Sequence, residues 1–282
     1  MGEATVVPSR LNLSGYAICL SGITQREMLR FVNQKERFLS ALVRPLIWLF
    51  IFAAGFRNVL GVSIQPPYET YVLYETYVVP GLAVMIQLFY GMQSSLSMVY
   101  DREVGSMRVL LTSPFPRWSL LLAKLIASVL VSVVQVYVFL AIALWWDVEA
   151  PAEGYLLVLP ALILTGLLFG SIGLFLSSLI RQLENFASVM NFVIFPMFFA
   201  SSALYPLWRI REASQGLYIV CLANPFTHAV ELVRFGLYGR LEPIALAVVA
   251  GTIAVFFAAA LLAYDPARGL MVRRGGPKGE TA

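Results

Sequence analysis

Runs of about twenty residues with almost no charge recur along this chain, and they fix its physical class before any other feature. The stretches 77–98, 155–180, 186–204 and 244–264 contain no charged residue, 120–146 contains only Lys124, and 39–56 contains Arg44, beside Pro45 near its start. An apolar run of roughly 18 residues or more is long enough to cross a bilayer as a helix. Charged residues make up 13% of the chain, against about 25% in soluble domains. Backbone polar groups in lipid need internal partners, so such runs are helices or a closed barrel. Barrel strands alternate in polarity at every second residue, and these runs do not. The expectation is an all-α membrane protein with six transmembrane helices at those positions.

Lysine and arginine in the connecting segments set the orientation. The N-terminal arm carries Arg10, Arg26, Arg30, Lys35, Arg37 and Arg44. The second loop carries Arg102, Arg108 and Arg117 with Lys124 beside it, the fourth Arg181, and the tail Arg268, Arg273, Arg274 and Lys278. The opposite side has Arg57 and the four arginines of the fifth loop, Arg209, Arg211, Arg234 and Arg240. Both termini are therefore expected in the cytoplasm, with the fifth loop as the discordant element. The first run follows a long mixed-charge stretch, so the N-terminus is expected to be retained rather than cleaved as a secretory signal. The division is a cytoplasmic arm (1–38), a transmembrane domain (39–264) and a Gly- and charge-rich cytoplasmic tail (265–282), expected to be disordered.

Several chemistries lack their residues. His228 is the only histidine, and Cys19 and Cys221 are the only cysteines. That removes most histidine-based triads and metal sites; on this topology the two thiols lie on opposite sides of the membrane. No GxxxxGK[ST] phosphate loop occurs, so the chain is not expected to hydrolyse ATP. A net charge of +4, scattered over loops, is no nucleic-acid footprint.

Three segments stand out. Over 16–37 an amphipathic helix places Leu20, Ile23, Met28, Phe31 and Val32 on one face and Arg26, Arg30 and Arg37 on the other, which suits a helix lying on the membrane surface. In the loop 100–118, Gly105 permits a bend, Met107, Leu110 and Leu111 share one face of a short helix, and Pro114 and Pro116 stop it. That apolar stripe needs a partner to bury against. In the loop 206–242, Asn224 is an N-cap, Pro225 a first helical residue and Gly239 a terminator. Phe226, Ala229, Val230, Val233 and Leu237 form one face of that helix; Thr227, Glu231 and Arg234 form another. Within the spans the polar residues Gln87, Gln93, Gln135 and Asn191 are pathway candidates or interhelical hydrogen-bonding groups. Gly166 and Gly170 form a GxxxG pair suited to close helix packing.

The stretch Asp101-Arg102-Glu103-Val104-Gly105-Ser106-Met107-Arg108-Val109-Leu110-Leu111-Thr112-Ser113-Pro114 resembles the E-x-G-(T/S)-x-x-x-L-L-x-(T/S)-P cytoplasmic loop of type-2 ABC export permeases. Asp101 stands where Glu is commoner. Six spans, the amphipathic N-terminal helix and the Asn224-Pro225-Phe226 segment are similar to that family too. Within it, the stretch from Gln182 to Trp208 resembles nodulation-factor-type exporters and permeases that accompany quinoprotein alcohol systems. The resemblance implies a bacterial inner-membrane subunit that exports an amphipathic or glycolipid-like molecule. Two separate ATPase subunits would supply ATP and magnesium chemistry, this chain binding no cofactor of its own, and a second permease, presumed identical, would complete the unit. It implies that Asp101, Arg102, Glu103, Gly105, Met107, Leu110, Leu111 and Pro114 belong to a coupling helix on the ATPase. It also implies that the 206–242 segment, with Asn224, Pro225, Phe226, Glu231 and Arg234, forms short re-entrant helices that gate the outer side, their arginines facing water or the pathway rim. An ion-coupled secondary transporter would show buried charges and repeats, a membrane enzyme a clustered His, Asp or Cys set, and an anchor subunit no pathway.

Overall fold

A computed structural model gives the fold and describes residues 13–33, 35–56, 66–69, 71–103, 116–146, 148, 150–180 and 182–263. Every regular element among these residues is a helix: α1 Leu13–Asn33, α2 Lys35–Phe56, α3 Tyr74–Glu103, α4 Arg117–Trp145, α5 Gly154–Leu157, α6 Leu159–Leu179, α7 Leu183–Phe199, α8 Leu207–Ala213, α9 Gln215–Ala223, α10 Pro225–Leu237 and α11 Pro243–Ala263. Four stretches are long and apolar enough to cross a bilayer: Tyr74–Tyr100, Trp118–Trp145, Gly154–Leu179 and Pro243–Ala263. The bent pair α9–α10, whose axes meet at 74°, makes five if it crosses as one. The other two expected spans correspond to α2, whose apolar stretch is Leu42–Ile51, and to α7.

α3 is the axis of the bundle. It packs against α2, α4, α6, α7 and α10, and Tyr77, Val78, Leu82, Ala83, Val84 and Leu88 on it are wholly buried. Its 30 residues span about 45 Å at 1.5 Å per residue. Small residues let its neighbours approach. A Cβ built on Gly91 would lie 2.8 Å from the carbonyl carbon of Phe169 and 2.9 Å from the nitrogen of Gly170 in α6. Gly173 of α6 returns the contact against Gly91 and Ser95, while Gly166 and Gly170, the GxxxG pair, face Val129, Ser132 and Leu125 of α4. This is the close backbone approach that small residues provide where the hydrophobic effect gives lipid-embedded helices no drive to associate.

The periphery is looser. α11 packs on α6 and α10 and leaves Ile244, Val255 and Leu262 exposed, as a lipid-facing helix does. α1 packs on α4 and α2, and Tyr16 stacks on Trp118 with centroids 6.1 Å apart. On α1, Leu20, Ile23 and Met28 are half-buried and Arg26 is exposed; the side chains of Arg30, Phe31 and Val32, and that of Arg37 in α2, lie outside the described set.

Three boundaries differ from the sequence expectation. The amphipathic helix expected over 16–37 ends at Asn33, so Arg37 belongs to α2 and not to α1. α2 begins at Lys35, so Arg44 is the tenth residue of a helix and not a cation at its mouth. α7 ends at Phe199, five residues before the expected 204. Residues 201–204 are buried outside any helix because other segments take up their carbonyls, as described next.

Candidate functional site

One end of the bundle holds a polar knot built on Arg234, a residue only 1% exposed. Its Nη1 donates to Glu231 Oε1, one turn back on α10, and its Nη2 donates to the Ser202 carbonyl at 2.9 Å. The guanidinium carbon lies 4.0 Å from the ring centroid of Tyr77 on α3. Tyr77 donates to the same Ser202 carbonyl at 2.9 Å, and Tyr74 donates to the Leu204 carbonyl at 2.8 Å. A cation removed from water costs several kcal/mol unless it is paired and hydrogen-bonded; a carboxylate, a carbonyl and an aromatic face together supply that here. The knot ties α3, the loop after α7, and α10 together.

Asn224 completes the joint. Its Oδ1 accepts from the Phe226 N–H at 3.0 Å, capping α10. Its Nδ2 donates to the carbonyls of Met197 and Ala200, each at 2.7 Å. Those carbonyls lie in the last turn of α7 and at its C-cap, where helical carbonyls have no partner within the helix. Pro225 occupies the first helical position, Gly239 follows the helix with φ +64°, and Phe226 is fully buried against Phe169 and Phe198. The sequence reading placed the arginines of this segment at water or the pathway rim; Arg234 is instead inside, and so is Thr227. The reason is the facing side: Tyr77 and the 202 carbonyl replace water.

A cavity of about 310 Å³ opens beside the knot, lined among others by Tyr77, Trp208, Thr227, His228, Glu231 and Glu242. His228 sets its Nε2 2.8 Å from the Leu222 carbonyl and not on Glu231. Tyr68 reaches the knot from the first loop, its ring 6.3 Å from Tyr77 and 5.1 Å from Tyr238, and burial pushes its hydroxyl above the ordinary phenol range.

The other predicted residues are dispersed. Gln87 is buried; its Nε2 donates to the Leu162 carbonyl at 2.7 Å and its Oε1 accepts from Thr165, joining α3 to α6. Gln135 is buried on α4, Gln93 is half-buried on α3, and Asn191 is exposed on α7. Asp101, Arg102 and Glu103 form the last turn of α3, where the backbone alone is described; Gly105, Met107, Leu110, Leu111 and Pro114 lie outside the described residues. Sequence reading missed the tyrosine and carbonyl partners of Arg234, which no local pattern signals.

Apolar helices of this length, four of them long enough to cross a bilayer, make this a multi-pass helical membrane protein. The family model of the ABC-2 type transporter matches residues 20–238, and the chain belongs to that family as a permease subunit of an ABC transporter. It is 27% identical over 215 residues to the transport permease ycf38 of Cyanophora paradoxa, covering 73% of this chain and 70% of that one. It is 30% identical over 164 residues to the multidrug ABC transporter permease YbhR of Escherichia coli K12, covering 57% and 43%. Nodulation protein J of Rhizobium leguminosarum bv. viciae is 32% identical over 90 residues, covering 32% and 33%.

Proposed function

We propose that this chain is the membrane half of an ATP-driven exporter that moves an amphipathic or glycolipid-like molecule outward. The power comes from two separate ATPase subunits that hold ATP and magnesium. The observation that carries this reading is the family match over residues 20–238. It is supported by the place of the loop 100–118, which follows directly from α3, the most buried long helix of the bundle. Asp101, Arg102, Glu103, Gly105, Met107, Leu110, Leu111 and Pro114 dock in the ATPase. α1 lies along the cytoplasmic surface with Arg26 and Arg30 at the headgroups, and Arg37 joins them from the first turn of α2. α2, α3, α4, α5–α6, α7 and α11 are the six spans, the termini are cytoplasmic, and the membrane is the bacterial inner membrane. The bent α9–α10 pair dips in from outside, and the Asn224–Pro225–Phe226 joint with Glu231 and Arg234 forms the outer gate.

A second identical permease completes the unit. α7 supports this: Ser188, Asn191, Phe192, Phe195 and Phe199 all lie on its exposed side. An exposed amide inside an apolar span is costly against lipid and is accommodated against a second chain or a water-filled path. The relatives named as a multidrug permease and a nodulation protein fit an amphipathic cargo.

The test is reconstitution of the chain with its cognate ATPase in proteoliposomes. Wild-type permease raises the ATPase turnover and co-purifies with the ATPase; a Leu110→Asp/Leu111→Asp variant, expressed to the same level, loses both. Retention of full association by that variant rules out the docking role of the loop.

A further inference from the structure

Arg44 of α2 is treated differently from Arg234. Arg44 is the tenth residue of α2, about 14 Å along the axis from Lys35 at 1.5 Å per residue. Its guanidinium carbon sits 4.0 Å from the ring centroid of Phe89. Phe89 is the sixteenth of the 30 residues of α3, which puts the charge level with the middle of the bundle's longest helix. Arg44 is exposed, and among the described residues no carboxylate pairs with it and no acceptor takes its N–H groups. Held over Phe89, the head group is not drawn back to a membrane surface, the usual way a long cationic side chain escapes lipid.

A lipid-facing arginine at this depth costs at least about 2.5–3.5 kcal/mol. The residue therefore faces something polar. Its surroundings are of that kind. Gln93, one turn inward of Phe89 on α3, is half-buried, and so are Ser94 and Ser97 beyond it. On the outward side, Trp48 of α2 meets Phe198 and Phe199 of α7 with centroids 6.2 and 6.0 Å apart, so α7, which carries the exposed Asn191, flanks α2. The patch thus has one cation with no partner among the described residues, the half-buried Gln93 amide one turn along α3 from the ring it rests on, and the aromatic rings of Trp48, Phe198 and Phe199 on the far side. A planar guanidinium resting on a ring presents its donors to carboxylate, phosphate or sulfate oxygens.

We propose that Arg44, with Gln93, is an anion-recognition subsite of the transport path, and that the cargo is an amphipath whose head carries a negative charge. This rests on the transport reading above and adds the charge of the cargo to it. Arg44 is the specificity-determining residue. Arg234 cannot share the role, because Glu231 already neutralises it.

The experiment uses purified full-length permease in neutral phosphatidylcholine nanodiscs, with tryptophan fluorescence as the readout, since Trp48 lies one turn from Arg44. Lysophosphatidic acid and lysophosphatidylcholine, identical in chain, are titrated separately, and inorganic phosphate is titrated as the free anion. The expected result is saturable binding of lysophosphatidic acid at least tenfold tighter than of lysophosphatidylcholine, with no comparable effect of phosphate. Arg44→Gln abolishes the preference and Arg44→Lys, which keeps the charge and folds under the same constraint, retains part of it. Equal affinity of wild type for the two lipids overturns the proposal, as does a preference that survives Arg44→Gln. Phosphate competing at the same concentration as the lysolipid assigns the patch to a free ion and overturns the cargo reading. Binding is read without the ATPase, so failure of ATPase coupling sinks the transport reading and leaves these affinities unmoved.

Discussion

Asn224 does two jobs with one amide, and substitutions separate them. Its oxygen caps α10 through the Phe226 N–H, and its nitrogen clamps the Met197 and Ala200 carbonyls at the end of α7. Loss of a side-chain N-cap costs about 1 kcal/mol, and each neutral hydrogen bond contributes roughly 0.5–1.5 kcal/mol net. Asn224→Ala therefore loses about 2–4 kcal/mol. Asn224→Ser keeps a cap acceptor and loses only the clamp, about 1–3 kcal/mol. Asn224→Asp keeps a good cap and gains from the helix dipole by roughly 0.3–1 kcal/mol, but it turns a carboxylate oxygen toward two carbonyls and cannot donate to them, so it also falls below wild type. The measurement is reversible unfolding in mixed micelles, followed by tryptophan fluorescence. The predicted order is wild type, then Ser, then Ala. Serine at wild-type stability refutes the clamp, and serine no better than alanine refutes the cap.

Gly91→Ala destabilises the bundle by about 1–3 kcal/mol, because the added carbon meets the α6 backbone and not a flexible side chain; the roughly 1 kcal/mol of helix propensity that alanine gains elsewhere does not rescue it, and a thermal midpoint at or above wild type contradicts this. Glu231→Ala leaves Arg234 buried without its counter-ion and costs about 3–5 kcal/mol. Glu231→Leu/Arg234→Met recovers most of that loss, and a double variant as unstable as the single one, in the same unfolding assay, shows that desolvation of the guanidinium is not the origin of the cost.

The class of fold was legible in the apolar runs, since nothing but helices satisfies so many backbone groups without water. The limits of α10 were legible because Asn224, Pro225 and Gly239 act through their own neighbours. The end of α7 was not. Ala200–Leu204 carries no charge, and what stops the helix is remote: Tyr74, Tyr77, Arg234 and Asn224, between 24 and 130 residues away, claim the carbonyls. Arg234 was legible as a member of a polar face, yet periodicity cannot say whether that face meets water or Tyr77. Arg44 misled for a similar reason. Beside Lys35 and Arg37 it reads as a headgroup cation, and only the start of α2 at Lys35 moves it into the depth of the bundle.

The way α3 is held constrains how it can move. Its Tyr74 end is fixed by hydroxyls donated to the carbonyls at 202 and 204 and by Gly81, where an added Cβ would lie 2.8 Å from the Ala203 Cβ. Its middle is pressed on α6 along Gly91, Ser95 and Gly173. Packed interiors transmit displacement and do not absorb it. A push at the Glu103 end of α3 must therefore carry α6 with it or part the glycine seam, and at the Tyr74 end it must pull on the Ser202 carbonyl that Tyr77 and Arg234 share. The half of α3 nearer Glu103, with Gln93, Ser94, Leu96 and Ser97 only half-buried, is the less tightly packed part, and Arg44 reaches α3 at the boundary between the two halves.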